Sequence, residues 1–257
     1  MSTPLSVLVV GGTGSIGRHV VRAASAAGHD VRVLTRSSTA PGGVQTVVGD
    51  LTDPASLGAA VNGVDAIVFT HGTHGGEAGV RDVDYGGVRN VLTAVGARPV
   101  RIALMTAIGV TVRDGSYNRS TKAHDWKRRA ERLVRASGHA YTIVRPGWFD
   151  YNDSDQHRLV FLQGDTRRAG NSSDGVIARA QIADVLVASL TSPAAVGKTL
   201  ELVAERGPAQ PDLEPLFIAL TADTELDGAF DVDNQPVEAE PAAVRADLDR
   251  FRGIARS

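Results

Sequence analysis

The 257-residue chain has no cysteine. That removes a disulfide scaffold, a thiol nucleophile and any thiolate-held zinc or iron–sulfur centre. It also lacks an apolar run near the roughly 18 residues that a membrane helix needs. Its start, Met1-Ser2-Thr3-Pro4, has none of the basic-then-apolar pattern of a secretory leader. A cytoplasmic protein is therefore expected. No repeat of fixed period is visible, and the net charge of −2 is too near neutral to argue for nucleic acid or an anionic membrane. What is present is 42% hydrophobic residues and 28 glycines, on a chain long enough to bury a substantial core.

Charge is unevenly spread. Through residue 200 there are 22 Lys and Arg against 16 Asp and Glu; from residue 201 onward there are 5 against 13. A mildly basic body thus precedes an acidic C-terminal segment. The body has its own basic stretch, Arg113 to Arg135, readable as a solvated helix face or as an entrance that attracts an anionic cofactor or substrate.

Leu5-Ser6-Val7-Leu8-Val9-Val10 is a β-branched, nearly continuous apolar run, the signature of a strand covered on both faces. A helical pattern follows from Ser15 to Ala27, closed by Gly28. Further strands are predicted at Val31–Leu34, Val44–Val48, Ala66–Phe69, Val100–Met105 and Tyr141–Val144. Helices are predicted near Asp53-Pro54 and over Val80–Ala97 and Lys122–Ser137. Alternation at this spacing predicts an α/β fold, a Rossmann-type doubly wound parallel sheet with helices on both faces. Beyond Arg145 the rhythm loosens. A helix at Gln181–Leu190 and a strand at Thr199–Val203 end the core. Residues 1–205 are read as one domain of this fold including a substrate cleft. Residues 206–257, with five prolines between Pro208 and Pro241, are read as an irregular acidic cap with a last helix near Ala242–Phe251, and not as an independent domain.

Gly11-Gly12-Thr13-Gly14-Ser15-Ile16-Gly17 follows the first strand and opens the first helix, the context a dinucleotide-binding glycine loop requires. Without Cβ atoms the backbone can turn tightly and approach a pyrophosphate, and the helix N-terminus presents N–H groups to it. Gly11, Thr13, Gly14, Ser15, Ile16 and Gly17 are the candidate contacts. The second strand ends in Thr35-Arg36-Ser37-Ser38, where an NAD site usually offers a carboxylate to the ribose. Arg36 can instead pair with a 2′-phosphate and Ser37 can donate to it, so NADP (NADPH) is expected rather than NAD.

The glycine loop, the pair Asp50-Leu51, the segment Ala130 to Gly138 and the run Tyr141-Thr142-Ile143-Val144-Arg145-Pro146-Gly147 together resemble the atypical short-chain dehydrogenase/reductases, in their NAD(P)H-binding, NmrA-like subgroup. The resemblance spans roughly residues 5–205. It implies that Asp50 and Leu51 lie against the adenine and that Thr70 and Gly72 lie beside the pyrophosphate and nicotinamide ribose. It also implies that Pro146, Gly147 and Trp148 border the nicotinamide. Active members of the wider superfamily use a Tyr-x-x-x-Lys pair on one helix face and a hydroxyl at the end of the fifth strand. Thr106 fits the hydroxyl, which would polarise a carbonyl, and Lys127, four before Glu131, fits the lysine, which would orient the ribose. Four residues further back stands Ala123 instead of tyrosine. Tyr117, from the loop before the helix, and His124 are the substitute proton donors; both have the plainer alternative of packing or facing solvent. His71 and His74 are too poorly supplied with neighbouring acids to suggest a metal. Trp148, Phe149, Tyr151, Asn152 and His157 suit either a substrate pocket or cover for the sheet edge.

The expected function is an NADP(H)-dependent oxidoreductase that reduces a small carbonyl or unsaturated compound by hydride transfer. The alternative is a non-catalytic NADP(H)-binding redox sensor acting through a protein partner. A nucleotide-sugar epimerase or dehydratase fits less well, because the C-terminal part is short for a sugar-nucleotide domain.

Overall fold

The computed structural model describes residues 3–37 and 44–255, so Ser38 lies outside the described residues. Its strands are β1 (Ser6–Val10), β2 (Asp30–Thr35), β3 (Gln45–Val48), β4 (Ala66–Phe69), β5 (Arg101–Met105), β6 (Ala140–Pro146), β7 (Trp148–Phe149), β8 (Arg158–Leu162), β9 (Val176–Ile177) and β10 (Lys198–Glu205). Its helices are α1 (Gly17–Ala26), α2 (Gly58–Val61), α3 (Gly76–Gly79), α4 (Gly86–Val95), α5 (Ser116–Thr121), α6 (Ala123–Ala136), α7 (Arg179–Thr191), α8 (Glu214–Ala219) and α9 (Ala242–Ile254). The sheet runs β3-β2-β1-β4-β5-β6-β10 with parallel pairing throughout. This is the doubly wound fold the strand–helix alternation predicts. The apolar runs of β1 and β4 are buried on both faces because helices cover both. One layer packs α4, α6 and α9 on the sheet; the other packs α1 and α7.

Three local departures matter. The helix expected over Val80–Ala97 ends at Val95 and opens into a π-helical turn at Val80–Tyr85. The chain after β6 is not loose: β7 pairs with β9, and β8 and β9 run antiparallel to β10, extending the sheet. Gly147 and Gly175 permit this, because a Cβ on Gly147 would stand 2.5 Å from the Gly175 carbonyl oxygen. The third departure concerns the basic stretch, which is for the most part neither a solvated face nor an anion entrance. Arg128, Arg129, Arg132 and Arg135 of α6 are buried. They pair with the acidic C-terminal segment: Arg128 and Arg132 with Asp227, Arg129 and Arg132 with Glu240, and Arg135 with Asp223. The opposite signs of body and tail are thus spent on each other. The opposite face of α6 supplies Ala123, Trp126, Ala130, Leu133 and Val134 to the core, where Val244, Leu248 and Phe251 of α9 join them.

Candidate cofactor and active site

The turn after β1 is built for close approach. Gly11 has φ of +88°, and a Cβ there would stand 2.7 Å from the backbone nitrogen of His71. A Cβ on Gly17 would collide with the carbonyl oxygen of Gly11. Gly14 closes the turn, donating its N–H to that oxygen at 2.9 Å. Helix α1 then begins with no carboxylate in its first turn, so its positive end is not neutralised locally.

This loop forms one end of a cleft of about 1240 Å³ along the C-terminal ends of the parallel strands, where open α/β sheets bind ligands. Gly11, Thr13, Gly14, Ser15 and Ile16 line it at the β1 end, and Arg36, Ser37, Asp50 and Leu51 at the ends of β2 and β3. Thr70 and Gly72 follow β4, while Thr106, Tyr117, Ala123, Lys127 and Phe149 close the far end. Gly17 is not in the wall; it serves the turn by its missing side chain. Pro146, Gly147 and Trp148 do not line the cleft either. Gly147 donates to the Leu202 carbonyl and Trp148 to that of Gly175, at 2.9 Å each, so this stretch belongs to the sheet extension. Trp148 packs edge-on against Tyr151. Successive strand residues face opposite ways, and it is Phe149, the next residue, that reaches the cleft.

The far end holds several polar groups. The Thr106 hydroxyl donates to Glu131 Oε1 at 2.7 Å. Glu131 is fully buried, and despite that burial the Arg145 guanidinium, helped by Arg135, holds its carboxyl down at about 2. It is therefore an acceptor only, and it consumes the single proton of Thr106. This overturns the expected polarising role: Thr106 presents lone pairs to the cleft and accepts. Lys127 is ion-paired with the buried Asp84 of the π-helical turn. His124 does not line the cleft; its ring lies 5.3 Å from that of Tyr117, and burial pushes its imidazole below the ordinary value.

His71 is a further titratable group in the wall. Burial pushes its imidazole down to about 4, so it is neutral at neutral pH. Its Nε2 sits 3.1 Å from the Val83 carbonyl, which assigns the proton to that nitrogen, and among the described residues the buried Nδ1 has no partner. Its folded-state value lies below the 6.5 of the free side chain. Between those values the unfolded chain binds more protons, so stability falls as pH drops from 6.5 towards 4. Replacing His71 with Gln should remove up to about 3 kcal/mol of this acid sensitivity. Urea unfolding of both proteins at neutral pH and in mild acid measures it.

A sequence profile described as NAD(P)H-binding matches residues 11–193. The chain belongs to this NAD(P)H-binding family. It is 30% identical over 194 residues to an NAD(P)H azoreductase of Xenophilus azovorans, covering 73% of this chain and 64% of that one. It is 29% identical over 249 residues to an uncharacterised chloroplastic protein of Arabidopsis thaliana, covering 85% and 76%. Among solved structures, a putative NAD-dependent epimerase/dehydratase from Bacillus halodurans superposes with a TM-score of 0.69. At 21% identity over 83% of this chain and 99% of that one, the likeness is one of fold. Among the described residues of this NAD(P)H-binding protein, no helix is long and apolar enough to cross a membrane.

Sequence reasoning missed Asp84 and the unpaired nitrogen of His71, and it left Phe149 undecided between pocket and cover. Asp84 did leave a trace. It stands four residues after Val80 and four before Val88, a charge in the apolar stripe of a helix, which calls for a partner.

Proposed function

We propose that the protein is an NADPH-dependent reductase that passes hydride to a small carbonyl or unsaturated compound. The observation that carries this reading is one continuous cleft that joins the glycine loop to a far end lined by Tyr117, Lys127 and Phe149. The residues present fit a dinucleotide. Gly11 and Gly14 permit the tight turn that brings the loop backbone to the cleft, α1 has no carboxylate in its first turn, and Arg36 follows the end of β2 in the cleft wall. In this reading Gly11, Thr13, Gly14, Ser15 and Ile16 hold the pyrophosphate, and Asp50 and Leu51 flank the adenine. Thr70, Gly72, Thr106 and Lys127 serve the nicotinamide ribose, with Thr106 accepting. When bound, NADPH supplies the hydride. Tyr117, the hydroxyl donor at that end, gives its proton to the oxygen as the carbonyl carbon is reduced, yielding an alcohol.

The preference for NADPH rests on Arg36 and Ser37. A charge-assisted hydrogen bond contributes roughly 1.5–3 kcal/mol, about 10- to 150-fold in affinity. Arg36→Ala should lose most of the preference for NADPH over NADH, read by calorimetry. Equal affinities in the unmutated protein would overturn the assignment. Activity is tested by NADPH oxidation across a panel of carbonyl compounds, quinones and, given the azoreductase relative, azo dyes. A buried Ala123 at the position where active superfamily members carry tyrosine favours a second reading, a redox sensor. Tight NADPH binding with no turnover anywhere in the panel would support it.

A further inference from the structure

The π-helical turn Val80–Tyr85 interrupts an otherwise continuous helical stretch from Gly76 to Val95. Such widened turns frequently sit at functional sites, because the altered spacing re-aims a side chain. Here the turn carries Asp84, which is 5% exposed and lines the cleft. One oxygen of its carboxylate pairs with Lys127 of α6, and the other accepts the backbone N–H of Thr73 at 3.1 Å. A single carboxylate therefore ties three elements of the cleft wall together: the helix before α4, the loop after β4, and α6.

The pair lies directly beneath Gly72. A Cβ there would come within 3.6 Å of Asp84 Oδ1 and 3.9 Å of Lys127 Nζ. Lys127 itself lines the cleft, so the ammonium is reachable from it. The Lys127 stem is long and carries several rotatable bonds, so without an anchor its charge would be spread over many rotamers. Its side chain is 19% exposed where it stands, enough to meet a ligand while the pair stays largely shielded from solvent.

We propose that Asp84 is a positioning residue: it fixes the Lys127 ammonium at the cleft surface so that the cation meets the dinucleotide in one orientation. This rests on the dinucleotide-binding reading above. It predicts an energetic dependence that a purely structural role for Asp84 would not produce, because the effect of losing Asp84 must pass through Lys127.

The test is a double-mutant cycle on NADPH affinity, measured by calorimetry on the full chain, with Asp84→Asn, Lys127→Gln and the double variant. Asparagine keeps the size of Asp84 and an oxygen for Thr73 while removing the charge. Asp84→Asn should weaken binding about 10-fold, and in the Lys127→Gln background it should add nearly nothing. Effects that multiply would overturn the proposal and leave Asp84 as a brace for the turn. Circular dichroism and melting of each variant check folding. If Asp84→Asn does not fold, Asp84→Glu, which displaces the carboxylate by one methylene, is read in the same cycle with the same two outcomes. An unmutated protein that binds neither NADPH nor NADH would overturn the cofactor reading itself, a result separate from multiplying effects in a protein that binds.

Discussion

Arg145→Met should destabilise the protein by at least about 3–5 kcal/mol, the cost of stranding buried charges by removing their partner. Arg145 is completely buried and bonds Glu131 at 2.7 Å, Asp231 at 2.6 Å and Glu201 at 3.1 Å, all of them nearly or fully inaccessible to solvent. Methionine fills a similar volume, so the loss isolates the charge. The carboxylates would respond by taking up protons. In the native protein the Arg145 guanidinium outweighs burial and holds Glu131 at about 2, below its ordinary 4.5. That stabilisation is present above 4.5 and fades as pH falls towards 2. Without Arg145, burial is opposed only by Arg135 and the Thr106 hydroxyl, and the folded-state value should rise above the unfolded one. Stability in the variant is then lost as pH rises, and the gap to the native protein should narrow on acidification from neutral to about pH 5. Glu201 already behaves this way: burial pushes it up to about 7 despite Arg145. Urea unfolding of both proteins at two pH values decides the matter, and a loss below about 1 kcal/mol would show that the cluster relaxes around the gap.

This cluster also marks the boundary of what the sequence discloses. Periodicity and glycine placement are local, so β1 to β6 and the turn at Gly11–Gly17 were legible from residue order, whereas Asp50 and Leu51 came only through the family resemblance and β7 to β9 were not foreseen. The excess of positive charge before residue 200 and of negative charge after it was equally visible. Its meaning was not, because Arg132 meets Asp227 and Glu240 across about a hundred residues of chain. No pattern within a helix reports whether its basic face meets water or an acidic strap. The same limit explains Thr106. Its place at the end of β5 could be read from the strand, but the direction of its proton depends on Glu131, which is charged only because Arg145 and Arg135 surround it. Trp148 and Phe149 show a finer limit. Strand alternation makes a one-residue offset exchange the cleft-facing side chain for an outward one, and it is Phe149, which the sequence left undecided, that lines the cleft.

Tyr117→Phe should lower the reductase rate by about 10²–10⁴-fold while leaving NADPH affinity unchanged, the usual cost of losing a positioned proton donor. Ala123 has no proton to give. Thr106 has given its own to Glu131. The Lys127 ammonium is held by Asp84. His124 lies outside the cleft wall, and burial keeps its imidazole below its ordinary value, so at neutral pH it carries no acidic second proton. The Tyr117 hydroxyl remains, on a half-exposed side chain at the cleft mouth. Its ring rests edge-on against His124, so His124→Gln should change the rate only through this packing, by a few-fold at most. The pH profile separates the two donors independently. A histidine acid loses its proton as pH rises through neutrality, whereas a phenol keeps it. The rate should therefore stay level between about pH 6 and pH 8. Full activity in Tyr117→Phe would transfer the proton's origin to solvent, substrate or Lys127. A rate that falls through neutrality and collapses in His124→Gln would require α6 to turn His124 into the cleft, against the packing seen here.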